Sequence, residues 1–71
     1  MPDWTIDQVK GPPTVFPSGL WYVWRKFQDG FLYLHSDGSE HDSVMNEDKE
    51  FPGYFKTQEE AAAVVERTKS A

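Results

Sequence analysis

Cysteine is absent from the 71-residue chain. No disulfide and no thiolate metal site can therefore staple the fold. Long hydrophobic runs are missing too, and no stretch approaches the length of a membrane-spanning helix. The opening MPDWTIDQVKGPP has no basic segment followed by an apolar one, so it does not read as a secretion signal. These features lead us to expect a soluble, cytoplasmic chain without a membrane partner. Basic charge is scarce: seven Lys and Arg stand against twelve Asp and Glu, a net charge of −5. That balance disfavours a surface built for phosphate backbones. No serine or cysteine nucleophile motif, phosphate-binding glycine loop or zinc spacing is present. His41 beside Asp42 is the best base-and-orienter pair on offer. We therefore expect no enzyme, no metal and no cofactor.

Aromatic residues are abundant by contrast, with three Trp, three Tyr and five Phe. A chain this short buries a small fraction of its surface, and each buried ring removes roughly 150–250 Å² from water. The rings concentrate in LWYVWRKFQDGFLYLHSDG, residues 20–38. The acidity is equally local. Residues 37–50 hold six acids and one base, a net of −5, and the other residues balance to zero. The acidic segment is read as a solvated loop or as a surface aimed at a basic partner.

The chain reads as one domain. Residues 1–19, rich in proline around GPPTVFPSG, suggest an extended arm lying against the body, with a short strand at 4–7. Asp29-Gly30 lies between two β-prone runs and predicts a two-residue hairpin turn. Phe27 would then oppose Leu32, Arg25 oppose Leu34, and Trp24 oppose His35. Asp37-Gly38 repeats the signal and predicts a weak third strand at 39–45, with His35 opposite Glu40 and Phe31 opposite Val44. Pro52-Gly53 marks another turn. TQEEAAAVVERTKSA predicts a helix over 57–69, with Thr57 and Glu60 as a capping box. Its apolar stripe is Ala61, Val64, Val65 and Thr68. The expected fold class is α+β: a small antiparallel meander of three strands, or four, with one C-terminal helix packed on one face.

Alternation sorts the rings into two faces. Trp21, Val23, Phe27, Leu32 and Leu34 are the expected core under the helix. Arg25 sits at the rim of that face, where Glu59, Glu60 or Glu66 could pair with it. Tyr22, Trp24, Lys26, Phe31, Tyr33 and His35 share the other face. Either the arm covers that face, or it is exposed for binding. The candidate binding residues are Tyr22, Trp24, Lys26, Tyr33 and His35, then Glu40, Asp42, Glu47 and Asp48 in the acidic segment. They suggest a module, monomer or homodimer, that binds a protein with a basic surface. The alternative is a single-strand nucleic-acid binder stacking bases on the aromatic face.

Two resemblances follow from these residues. GLWYVWRKFQDGFLYLHSDG is similar to a WW domain in its first Trp, its DG turn and its Tyr-bearing strand. The second Trp followed by Pro has no counterpart downstream. The meander followed by GYFKTQEEAAAVVER, residues 20–69 in all, resembles small bacterial and phage domains of three strands and one helix. The arm-binding domain of tyrosine integrases is the example in mind. That resemblance implies a phage or mobile-element accessory protein whose sheet meets DNA. The Lys and Arg residues such a sheet would need are lacking, so an inhibitor acting through its acidity is the form expected here.

Overall fold

The computed structural model describes residues 3–70. The architecture is α+β, an antiparallel sheet followed by one helix. In chain order the elements are β1 (Thr5–Gln8), β2 (Trp21–Phe27), β3 (Gly30–Leu34), β4 (Glu40–His41), β5 (Tyr54–Phe55) and α1 (Gln58–Ser70). The sheet runs β1-β2-β3-β4, and β5 also pairs with β2. Strand β3 holds the Trp24–Phe27 half of β2, and β5 pairs at Trp21 and Tyr22. Two tyrosines, Tyr22 and Tyr54, thereby stand directly opposite each other.

The first hairpin turns one step earlier than expected. Gln28 and Asp29 form its tip, Phe27 pairs with Gly30, and Trp24 pairs with Tyr33. Gln28 takes the left-handed region at φ 53°, which costs roughly 1–2 kcal/mol for a residue with a Cβ. The register gained puts the Trp24 and Phe31 rings edge-on at 5.4 Å and the Tyr22 and Tyr33 rings at 6.3 Å. Cross-strand ring contacts of this kind outweigh the local turn preference. The shift is by two residues, so the face assignments survive it.

The second hairpin slips by one. Leu34 pairs with Glu40 and Tyr33 with His41. The connection is Ser36, Asp37 and Gly38, with Gly38 at φ 89° and His35 N–H donating to the Ser39 carbonyl at 2.8 Å. A glycine in the left-handed region is what such a three-residue loop requires. A slip of one residue moves side chains to the other face. Glu40 therefore leaves the aromatic face and meets Arg25. The strand predicted for 39–45 ends at His41. Beyond it the Val44 carbonyl accepts the Gly53 N–H at 2.9 Å.

The arm is not extended. After β1 the chain folds through successive turns at 12–19, closed by Val9 N–H to the Leu20 carbonyl at 2.8 Å and Gly19 N–H to the Val9 carbonyl at 3.0 Å. Nor does it cover the aromatic face, since β1 joins the sheet beside β2. Trp4 and Ile6 pack against the core.

Val23, Leu34, Phe55, Ala61, Val64 and Val65 form the buried core between sheet and helix. Trp21 packs half-buried against it; Leu32, expected in the core, is half-buried but is not among the residues packed on the cluster. Phe27 does not join it: at the hairpin tip it is 44% exposed. The helix begins as predicted, with Glu60 N–H donating to Thr57 Oγ1 at 3.1 Å. The Glu60 carboxylate accepts the Lys56 N–H, one residue before the cap. At the far end Arg67 donates to the Ser36 carbonyl at 2.9 Å, tying the helix to the β3–β4 loop. Among the described residues no helix is long and apolar enough to cross a membrane.

Candidate functional site

The face of the sheet away from the helix carries a groove of about 750 Å³. Its lining includes one tyrosine from each of three strands: Tyr22 of β2, Tyr33 of β3 and Tyr54 of β5. The alternation that sends Val23 and Leu34 into the core is what turns their neighbours Tyr22 and Tyr33 outward. On one bank lie Asp7 and Lys10, from β1 and the residues after it. On the other lies the segment Asp42–Val44. The three tyrosines are half-buried.

Several contacts hold this arrangement. Trp24 Nε1–H donates to Asp7 Oδ2 at 2.8 Å, which fixes the Asp7 carboxylate beside Tyr22. Tyr54 is braced from outside by Phe16 at 5.9 Å and Phe51 at 5.7 Å. The Asp42–Val44 bank is pinned from below: His35 Nε2–H donates to the Ser43 carbonyl at 2.6 Å, and the His35 ring stacks on His41 at 4.1 Å.

Burial raises the Tyr22 hydroxyl pKa above its ordinary value, and the nearby Asp7 charge and the other two tyrosines add to the effect. Burial also raises Tyr54, with Tyr33 contributing. These phenols stay neutral at physiological pH and are available as hydrogen-bond donors and acceptors.

The predicted site residues divide accordingly. Tyr22, Tyr33 and Asp42 meet at the groove. Trp24 positions Asp7 there, and Lys26 lies exposed on the same face, across from Phe31 near the hairpin tip. His35 is not a surface contact. It is 3% exposed, because the Asp42–Val44 segment folds against it. Glu40 is spent on the opposite face, where its Oε1 accepts from Arg25 Nε at 3.2 Å and Nη2 at 2.7 Å. This pair replaces the one expected between Arg25 and a helix glutamate, and the β3–β4 slip is its cause. Glu47 and Asp48 are exposed in the 46–50 turn, outside the groove lining.

Asp7, Lys10 and Tyr54 are the groove residues that sequence reasoning missed. Asp7 alternates with Ile6 in the short strand and could have been placed by that pattern. Tyr54 depends on the long-range β2–β5 pairing, for which no local signal exists.

His41 contacts Ser39 Oγ at 2.7 Å, and that hydroxyl donates to Asp37 Oδ1 at 2.5 Å. The serine stands between imidazole and carboxylate. In a nucleophilic triad the histidine occupies that middle place. Two bonds from Ser39, side chain and backbone, lower the Asp37 pKa, and the histidines assist. Among the described residues no group of three or more His, Asp or Glu gathers as a metal site.

Neither a family description, nor a curated protein, nor a solved structure is significantly similar to the chain. The groove has to be interpreted from its own chemistry.

Proposed function

We propose that this protein is a non-enzymatic binding module that docks a basic protein segment in the tyrosine-lined groove. One observation carries the reading: three tyrosines from separate strands converge between Asp7 and Asp42 on a half-buried sheet face. Tyrosines supply large, stiff contact area with a polar tip, the usual chemistry of protein-binding surfaces. The charge of −5 favours approach by a basic partner. An accessory protein or inhibitor that occupies a partner's basic surface is the form this acidity favours.

The test compares wild-type, Tyr33→Ala, Asp42→Lys and Asp48→Lys proteins as baits in quantitative affinity capture. A basic protein retained by the wild type and by Asp48→Lys, and lost with the two groove variants, supports the reading. Equal capture by all four baits contradicts it.

A second reading draws on Trp24, Lys26 and Phe31 near the hairpin tip, where Phe31 is 50% exposed. Bases could stack on these rings with Lys26 near a phosphate. This predicts retention on single-stranded oligonucleotides at low salt, released as salt rises. No retention at low salt eliminates it.

A further inference from the structure

The groove has a more specific chemistry than general attraction for basic surfaces. Its lining offers aromatic rings whose faces carry negative quadrupole and attract a cation. The banks offer carboxylates on opposite sides. Asp7 Oδ2 is occupied by Trp24, which leaves Oδ1 for a ligand. Among the described residues the Asp42 carboxylate has no hydrogen bond and no ion pair, and it is exposed at the rim. The three lining tyrosines bring hydroxyls that can accept hydrogen bonds.

This set fits a guanidinium better than an ammonium. A guanidinium is flat, stacks on rings, is weakly hydrated and spreads five donors in one plane. An ammonium is a compact, strongly hydrated charge with no flat face to stack. The same sheet already holds a guanidinium in this way on its other side. Arg25 lies 5.3 Å from the Trp4 ring centre and 5.2 Å from that of Phe27, with two of its nitrogens on Glu40 Oε1. Rings below and a carboxylate at the side are common to both places. The groove also has one basic residue of its own. Lys10 lines it, but the ion pairs among the described residues are Arg25–Glu40 and Lys69–Glu66. At about 750 Å³ the groove is larger than one side chain.

We propose that the Tyr22–Tyr33–Tyr54 groove seats an arginine side chain of an extended basic segment on a partner protein, clamped by Asp42 and Asp7. This rests on the binding-module reading above and adds which group is recognised.

The experiment is an NMR titration of the full chain with three blocked, glycine-spaced peptides of equal length. They carry arginine, lysine or citrulline, the last being the neutral isostere of arginine. The arginine peptide is expected to shift the ring resonances of Tyr22, Tyr33 and Tyr54 and the Asp42 amide. The lysine peptide is expected to bind about tenfold more weakly, and the citrulline peptide not to bind. Asp42→Asn, an exposed change that leaves the fold intact, should weaken the arginine peptide about tenfold, and Asp48→Asn should not. Tyr33→Phe should retain the ring shifts and Tyr33→Leu lose them, with folding of both checked by amide dispersion.

Equal binding of lysine and arginine peptides in the groove would overturn the arginine seat and keep the basic-partner reading. Arginine-peptide shifts confined to 46–50 would overturn both the seat and the groove reading. Absence of binding by both cationic peptides would overturn the seat and the reading together.

Discussion

His35, Arg25 and Asp42 each carry a charge or a titratable ring, yet they have different fates, and their neighbours decide which. His35 spends its Nε2–H on the Ser43 carbonyl and becomes part of the scaffold under the groove bank. Arg25 is held by rings and Glu40. Asp42 stays at the rim. The fold also changes the chemistry of Tyr22 and Tyr54. Burial disfavours their phenolates, so both pKa values stand above the ordinary 10.0. A raised folded-state pKa means the folded chain holds the proton more tightly than the unfolded one. The resulting stabilisation is fully present below pH 10 and is lost as pH rises through the raised values. An absorbance titration of phenolate should show Tyr22 and Tyr54 ionising late, and denaturant should return them to the ordinary range. Tyr22 and Tyr54 titrating at the ordinary value in the folded protein would contradict this placement of them.

Elements were legible in the sequence where local signals were self-sufficient. Thr57 and Glu60 marked the helix start, and the stripe Ala61, Val64, Val65 became its buried face. Alternation assigned Trp21, Val23, Leu32 and Leu34 to one side and Tyr22, Trp24, Phe31 and Tyr33 to the other. Register was less legible, because pairing depends on contacts between strands. Asp29-Gly30 is a strong turn signal, yet the ring contacts of Trp24 with Phe31 and Tyr22 with Tyr33 pull the tip to Gln28-Asp29. The β2–β5 pairing joins distant segments and was invisible.

Two substitutions test the elements. A Cβ on Gly53 would come within 2.6 Å of the Val44 Cα, so Gly53→Ala must push the Asp42–Val44 bank outward. It should cost about 1–3 kcal/mol in denaturant unfolding, the scale of overpacking a close contact. Unchanged stability would mean that the bank yields freely. Thr57→Ala removes the acceptor for the Glu60 N–H and should cost about 1 kcal/mol in the same measurement.

The molecule as a whole divides its rings between the helix side of the sheet and the groove side, and its small size makes that division tight. Leu34 and Val23 are its largest fully buried side chains. Leu34→Ala should cost about 2–5 kcal/mol, against a total of roughly 5–15 kcal/mol for ordinary domains and less for one this short. We expect its circular dichroism to show a chain largely unfolded at 37 °C, roughly the loss that one core cavity brings to a marginal domain. With the core so small, the half-buried tyrosines lend packing as well as a surface. This is why sequence alone did not distinguish a covered face from an open one: β1 runs beside β2, and the face is left as a groove with banks.

The central claim is that this groove is where a basic partner docks. The most direct test maps a captured partner onto the isotope-labelled protein by chemical-shift perturbation. Docking in the groove predicts the largest changes at Tyr22, Tyr33, Tyr54 and Asp42, with little change at Glu47 and Asp48. Changes centred on the 46–50 turn or the helix, with the three tyrosines undisturbed, would contradict it.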